Sequence, residues 1–145
     1  MKNTSKVKIY KCNTCGNLIF MLEDSGVIPV CCGSDMELLT AKTTDDYHEK
    51  HVPVIVRDGS KVTVTVGEAI HPMTDVHHIN WILLETTKGS RITYLETNTE
   101  PVARFTLCEK EEIVAAYAYC NLHGLWKTDI QEPDNTCTKK KCNNQ

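Results

Sequence analysis

The sequence predicts a mainly β protein in two parts, a small cysteine-rich N-terminal part and a larger antiparallel β-sandwich. Two observations lead to this prediction. Residues 1–39 contain four cysteines but few large apolar side chains. From residue 51 onward, about seven short runs of β-branched and aromatic residues alternate with turn signals, which is the pattern of a β-sandwich.

The N-terminal part is too short and too polar to form a hydrophobic core of its own. Its cysteines are arranged as Cys12-x-x-Cys15 and Cys31-Cys32, and each pair is followed by glycine. A fold below roughly 40 residues usually needs a staple such as a metal ion. We therefore predict a metal-binding domain over residues 1–40.

The second domain is predicted over residues 41–130, and the polar residues 40–46 serve as the linker. Asp58-Gly59 and Lys88-Gly89 are turn dipeptides that favour β-hairpins. The predicted strands are residues 52–56, 61–66, 79–87, 91–97, 102–108, 113–120 and 125–130. Such a series of short strands indicates an immunoglobulin-like antiparallel β-sandwich.

Two of these strands have distinctive patterns. Residues 61–66 alternate strictly, which places three valines on one face. Residues 111–119 contain alanines that would also suit a helix. We predict a strand there because the segment lies in a strand-rich series.

Composition gives no reason to expect a nucleic-acid or membrane partner. The formal net charge is -3 and the pI is about 6.0, so no extended basic surface is predicted. The longest apolar run, residues 113–120, is far shorter than the roughly 20 residues of a bilayer span. Residues 1–10 lack an apolar signal-peptide region, and we predict a cytoplasmic protein. Residues 131–145 are predicted to be a polar tail, in which Cys137 and Cys142 have no assigned role.

The four N-terminal cysteines supply the thiolates of a tetrahedral sulfur site. In a reducing compartment, metal binding is favoured over two disulfides, which are the alternative. Zinc and iron both suit four sulfurs, so the spacing leaves the metal open. Adjacent side chains tend to diverge, and joint ligation by Cys31 and Cys32 is expected to strain the site.

A second set of metal-binding side chains is predicted at one end of the sandwich, where strand ends cluster. Its candidate members stand at or near the ends of predicted strands: His51, His71, His77, Cys120 and His123. Alternation places His77 on the inner side with Ile79, and His78 on the outer side with Asn80. Four imidazoles and one thiolate exceed the four ligands of a zinc site. They suit iron with one position open.

Six motifs in order resemble those of desulfoferrodoxin, the two-iron superoxide reductase family, over nearly the whole chain. They are C-x-x-C-G at 12–16, C-C-G at 31–33, E-K-H-x-P at 49–53, H-P-M at 71–73, H-H-I-x-W-I at 77–82 and C-N-x-H-G-L-W at 120–126. The resemblance implies a desulforedoxin-like domain whose iron is held by Cys12, Cys15, Cys31 and Cys32. It implies a catalytic iron held by His51, His71, His77 and His123 in a plane, with Cys120 as the axial ligand.

The same resemblance implies the reaction. Superoxide would be reduced by one electron to hydrogen peroxide at the ferrous four-histidine, one-cysteine centre, with electrons from a donor such as rubredoxin. The resemblance also implies a homodimer. Lys50 is expected to steer the superoxide anion, and Glu49 resembles the residue that occupies the sixth iron position in the ferric state.

Two other functions use the same residues. One is an electron-transfer protein with a cupredoxin-like copper site and a rubredoxin-like iron. The other is a non-catalytic zinc-binding module. A blue-copper site uses two histidines, a cysteine and an axial methionine, and Met73 is the only methionine in the predicted sandwich. A structural zinc module would be redox-silent.

Overall fold

The computed structural model describes residues 4–45 and 50–130. Glu49, Cys137, Cys142 and the predicted tail lie outside these residues. Within the described ranges every regular element is a β-strand, and no helix there is long and apolar enough to cross a bilayer. The prediction of a mainly β protein is confirmed.

The N-terminal part consists of five very short strands. They are β1 (Ile9–Lys11), β2 (Leu18–Phe20), β3 (Val30–Cys31), β4 (Ser34–Asp35) and β5 (Glu37–Leu38). β1 lies between β2 and β5 in one antiparallel sheet, and β3 pairs with β4 in a hairpin. The only tightly buried group close to the cysteines is Tyr10, Cys12 and Met36, among the residues described. So small a core agrees with the expectation that a metal staples this part.

Seven strands form the predicted sandwich. They are β6 (Pro53–Asp58), β7 (Lys61–Val66), β8 (Ile79–Thr86), β9 (Gly89–Tyr94), β10 (Val102–Thr106), β11 (Ile113–Cys120) and β12 (Gly124–Asp129). One sheet has the order β10-β7-β6 and the other β12-β11-β8-β9, and all neighbours are antiparallel. The immunoglobulin-like prediction is confirmed.

The main core lies between these two sheets. Val62, Val64 and Val66 on β7 are fully buried and pack with Ile82 and Ala118 of the opposite sheet. Burying one such valine contributes about 1.5–3 kcal/mol. The alternation of residues 61–66 therefore predicted the buried face of β7 correctly.

A second core explains why β11 is apolar along its whole length and β8 is apolar from Trp81 to Leu84. Leu83 and Tyr117 face away from the main core, and both are buried against a cluster that includes Ile9 and Phe20 of the N-terminal part. A strand covered on both faces is expected to be continuously apolar. The alanines of β11 thus lie in a strand because it is the central partner of β8 and β12.

Both hairpin turns lie one residue away from the predicted dipeptides. Asp58 pairs with Lys61, so Gly59 and Ser60 form the first turn, and the second turn is displaced in the other direction. Gly89 belongs to β9 and pairs with Thr86, so Thr87 and Lys88 form the turn. Gly89 has φ 141°, a value that only glycine adopts easily. The glycine therefore serves the start of the strand instead of the turn itself.

One buried carboxylate ties together the ends of several strands. Glu111 is 1% exposed and accepts hydrogen bonds from Arg91 Nη2 at 2.7 and 2.8 Å and from the Cys108 N–H at 2.8 Å. The Thr86 hydroxyl also donates to it. The Thr86 and Cys108 hydrogen bonds, aided by the Arg91 charge, lower the pKa of Glu111 below its ordinary value. The ionised form of Glu111 is therefore the one that stabilises the fold.

We expect Glu111→Gln to lower the free energy of unfolding at pH 7 by about 2 kcal/mol, because it weakens charge-assisted hydrogen bonds. A lowered carboxyl pKa stabilises the protein above the unfolded-state pKa, and this contribution disappears as pH falls through the folded-state pKa. The difference from wild type should therefore shrink in acid. Urea denaturation at several pH values measures it, with the exposed Glu112→Gln as control. Equal losses in the two variants would contradict the assignment.

Candidate metal centres

The four N-terminal cysteines converge on one point. Their sulfur atoms all lie within 4.8 Å of one another. The Cys15 Sγ lies 3.7 Å from the Cys31 Sγ, which in turn lies 4.0 Å from the Cys32 Sγ. Tetrahedral ligation with metal–sulfur bonds of about 2.3 Å separates the sulfurs by about 3.8 Å. The arrangement fits a four-sulfur metal site, and no disulfide joins the cysteines of the described ranges.

The hairpin between β3 and β4 allows the adjacent side chains of Cys31 and Cys32 to face the same site. Cys31 pairs with Ser34, which leaves Cys32 and Gly33 as a two-residue loop. Both loop residues have positive φ, 53° for Cys32 and 78° for Gly33, as a type I′ turn requires. The left-handed conformation of Cys32 costs energy for a residue with a Cβ. The expected strain is therefore located in the backbone of Cys32.

Hydrogen bonds distribute charge unequally among these thiols. The Cys15 N–H donates to the Cys12 Sγ at 3.4 Å, and this contact lowers the pKa of the Cys12 thiol to about 6. Hydrogen bonding to the sulfurs of Cys15 and Cys12 raises the pKa of Cys32 to about 12. Four thiolates this close therefore require a bound cation, which is the usual coupling of metal binding to deprotonation.

The second predicted set also converges, at one end of the sandwich. Ligand atoms of His51, His71, His77 and Cys120 lie within 4.8 Å of one another. The His123 Nδ1 adjoins them, 3.0 Å from the His51 Nε2 and 3.8 Å from the Cys120 Sγ. The imidazole rings of His77 and His123 have centroids 5.1 Å apart. The structure thus brings all five residues together.

The members come from strand ends and loops, and His71 and His77 share the loop between β7 and β8. His51 precedes β6, and His71 lies in the loop after β7, where its N–H donates to the Val66 carbonyl at 2.9 Å. Cys120 ends β11, and His123 lies in the turn before β12. Antiparallel pairing brings these points to the same end of the sandwich.

The centre is buried on one side and accessible on the other. His51, His71 and Cys120 are at most 1% exposed, whereas His77 and His123 are half-buried. Exposed aliphatic residues stand directly before three of the histidines, namely Ile70, Val76 and Leu122. The exposed part of the cluster is therefore formed by the side chains of His77 and His123, although the His77 Nε2 itself is buried.

Neighbouring groups orient the imidazoles. The His71 Nδ1 lies 2.7 Å from the Pro72 carbonyl oxygen, so Nδ1 carries the proton and Nε2 the lone pair that a metal needs. His51 stacks on Trp126, with ring centroids 4.5 Å apart and planes at 14°. Asp45 accepts from the His51 N–H at 2.6 Å and the Val52 N–H at 3.1 Å, which fixes the start of β6.

Asn121 holds the His77 loop against the turn that carries Cys120 and His123. Its Oδ1 accepts from the His78 N–H at 2.8 Å, and its Nδ2 donates to the Val76 carbonyl at 3.0 Å. The backbone neighbours of His77 are thereby fixed on both sides. Sequence reasoning gave Asn121 no role, although it stands between two candidate ligands in C-N-x-H.

The two adjacent histidines separate as the alternation indicates. The His77 ring faces those of His71 and His123, with centroids 4.6 and 5.1 Å away. The His78 Nδ1 instead lies 2.9 Å from the Thr74 carbonyl oxygen. Only His77 therefore belongs to the cluster.

Lys50 is half-buried beside His51, and its backbone is held close to Gly67. A Cβ built on Gly67 would lie 2.7 Å from the Lys50 carbonyl oxygen and 2.8 Å from its carbon. Because such contacts are shorter than any real Cβ makes, the approach requires glycine at position 67. Sequence reasoning missed this contact, since residues 50 and 67 are distant along the chain.

Both parts of the chain match known protein family models. The desulfoferrodoxin family model matches residues 43–129, and the model of the desulfoferrodoxin N-terminal domain matches residues 4–39. The chain is similar to a desulfoferrodoxin homolog of Archaeoglobus fulgidus and a desulfoferrodoxin of Nitratidesulfovibrio vulgaris. It is 43% and 42% identical to them, respectively, and each alignment covers 86% of this chain and 98% of the relative. The crystal structure of the superoxide reductase from Treponema pallidum matches with a TM-score of 0.74 at 30% identity, over 86% of this chain and 98% of that one.

We expect Asn121→Ala to weaken metal retention at the histidine-rich centre, because the His77 loop loses both side-chain hydrogen bonds. Loss of such an outer contact should speed metal release to a chelator about tenfold or more. Asn17→Ala is the matched control, since the Asn17 Nδ2 lies 3.8 Å from the Cys31 Sγ at the other centre. If both variants released metal from the histidine-rich centre at the wild-type rate, Asn121 would have no such role.

Proposed function

Because this chain belongs to the desulfoferrodoxin family, we propose that it is a superoxide reductase. One superoxide anion takes up one electron and two protons and becomes hydrogen peroxide. The observation that carries this proposal is the convergence of four imidazoles and one thiolate at a partly accessible end of the sandwich. The reaction needs a metal that can give up one electron. It also needs a coordination position at which a small anion can bind.

The donor atoms of the histidine-rich centre favour non-haem iron, and we propose iron at the four-sulfur centre as well. Four sulfurs suit iron or zinc equally, but four nitrogens and one sulfur exceed tetrahedral zinc. For blue copper an axial methionine is needed, and the Met73 sulfur already accepts the Ile79 N–H at 3.3 Å within the main core. Iron bound by His51, His71, His77, His123 and Cys120 would supply the single electron that reduces superoxide.

The protein residues divide the remaining tasks. Cys120 lies in the apolar core, where a thiolate cannot be stabilised by water and donates its charge to a bound metal instead. Trp126, 1% exposed, covers the His51 ring. The buried side therefore excludes water, and superoxide approaches from the side of His77 and His123.

Lys50 is proposed to attract and orient superoxide. A compact ammonium group with three donors suits a small anion. It raises the local anion concentration although the formal net charge of the chain is -3. Contact with Gly67 fixes the Lys50 backbone, so the side chain starts from a defined position next to His51.

Glu49 is proposed to be a carboxylate ligand of the ferric centre. Support comes from its place in E-K-H-x-P, two residues before His51. Replacing Glu49 by Ala tests the role, because loss of a ligand changes the absorption spectrum of the oxidised protein. An unchanged spectrum would contradict it.

We further propose domain limits at residues 1–40 and 41–130, with a tail at 131–145. A rubredoxin-like electron donor, a homodimer and a cytoplasmic location complete the proposal. A reducing compartment suits the cluster of thiols at Cys12, Cys15, Cys31 and Cys32, since glutathione and thioredoxin keep such groups reduced there.

Metal analysis and product analysis together test the proposed function. We expect about two irons per chain, and hydrogen peroxide without dioxygen when the reduced protein meets a superoxide flux. Evolution of dioxygen would identify a dismutase instead. Copper in the preparation would favour the electron carrier, and a redox-silent zinc protein would favour the structural module.

We expect Lys50→Ala to slow the reaction with superoxide about tenfold at low ionic strength, because electrostatic attraction of the anion is lost. The dependence of the rate on salt should flatten at the same time. Lys88→Ala changes the net charge equally and lies in the turn beyond the other end of β8, so it serves as control. Stopped-flow measurements over a salt series test this prediction. If the rate of Lys50→Ala depended on ionic strength as the wild-type rate does, the steering role would be eliminated.

A further inference from the structure

The segment that connects the two matched family regions pairs with the edge strand of the sandwich. The matched regions end at residue 39 and begin again at residue 43, so Lys42 belongs to neither. The Lys42 N–H donates to the Leu125 carbonyl at 2.9 Å, and the Lys127 N–H donates to the Lys42 carbonyl at 2.9 Å. An isolated parallel bridge joins Lys42 to Trp126. The backbone at residue 42 is therefore fixed against β12.

The Lys42 side chain reaches the histidine-rich centre from outside. Its Nζ donates to the His123 carbonyl oxygen at 2.8 Å and lies 4.9 Å from the centroid of the Trp126 ring. The Trp126 Nε1 donates to the same carbonyl at 3.2 Å. Trp126 also stacks on His51. Lys42 thus contacts one candidate ligand directly and a second one through the indole.

We propose that Lys42 is a positioning residue for the catalytic centre, acting from the segment between the two domains. Its hydrogen bond to the His123 carbonyl braces the turn that carries Cys120 and His123. Its charge also lies beside that turn, and a nearby cation favours the metal state of lower positive charge. The inference rests on the proposed function only in taking this cluster as the catalytic centre.

Chemistry favours this role over that of an ordinary linker lysine. A hydrogen bond from an ammonium group to a carbonyl is stronger than one between neutral groups, and the indole face of Trp126 adds a cation–π contact. Because Lys42 is exposed, salt screens its charge in part. The effect of this charge on the metal potential should therefore decrease as ionic strength rises. The brace, meaning the hydrogen bond from Lys42 to the His123 carbonyl, should not weaken in the same way.

Two variants of the full-length protein separate these contributions. Lys42→Met keeps the length of the side chain without charge or donor, and Lys42→Arg keeps both. We expect Lys42→Met to lower the midpoint potential of the histidine-rich iron and to speed its release to a chelator about tenfold. Lys42→Arg should restore both values. Mössbauer spectra at poised potentials distinguish this iron from the four-sulfur iron.

Lys127→Met is the matched control. Lys127 lies on the same strand edge, but its side chain lies against other groups, 5.9 Å from the Tyr117 ring centroid and 3.2 Å from the Asp129 Oδ1. It should leave potential and release rate at wild-type values. Circular dichroism verifies folding, and Lys42→Gln replaces the Met variant if that variant is unfolded.

Unchanged potential and release in folded Lys42→Met would overturn the inference. So would equal changes in Lys42→Met and Lys42→Arg, because charge and donor would then be irrelevant. Failure of the proposed function is recognised separately, in the metal content and products of the wild type. If the wild type retained another metal, the release rate of that metal would still test the brace.

Discussion

The register of β11 is the constraint on which the histidine-rich centre depends. Cys120 pairs with Ile79 on β8 and with Gly124 on β12. His77 therefore stands two residues before Ile79, and His123 stands one residue before Gly124. A slip by one residue would turn Cys120 to the other face of the sheet. The pairing with β8 shifts by one residue between Tyr119 and Cys120, so the end of β11 has its own register, and this register places Cys120 at the centre.

Burial on both faces makes that register rigid. The main core packs on one side of β8 and β11, and the N-terminal part covers the other. The N-terminal part itself contributes little core around its cysteines and depends on four sulfurs brought together by two turns. Each part therefore supplies what the other lacks, because the small domain shields the sheet and the sheet provides an apolar surface for it. Lys42 and Asp45 continue this connection to the edge of the centre.

Much of the architecture was predictable from local patterns. The valines of β7 alternate with period two, so their burial followed from strand geometry, and the seven strands were placed to within a few residues. Cys12, Cys15, Cys31 and Cys32 could be grouped because cysteine pairs followed by glycine have few other uses in a small polar domain. The five members of the second cluster could be selected because each stands near a strand end. Residue type and spacing are sufficient for such inferences, because strand alternation, turns and paired cysteines each involve residues that are close in sequence.

Contacts between distant segments were not predictable in this way. The chain pattern contains no sign that Gly67 touches Lys50, that Asn121 holds the loop of His77, or that Lys42 reaches the carbonyl of His123. The second core was equally hidden, since the alanine-rich β11 acquires its buried faces only from the opposite sheet and the N-terminal part. These features depend on three-dimensional packing, because each joins residues that are brought together only when both sheets and the small domain have assembled.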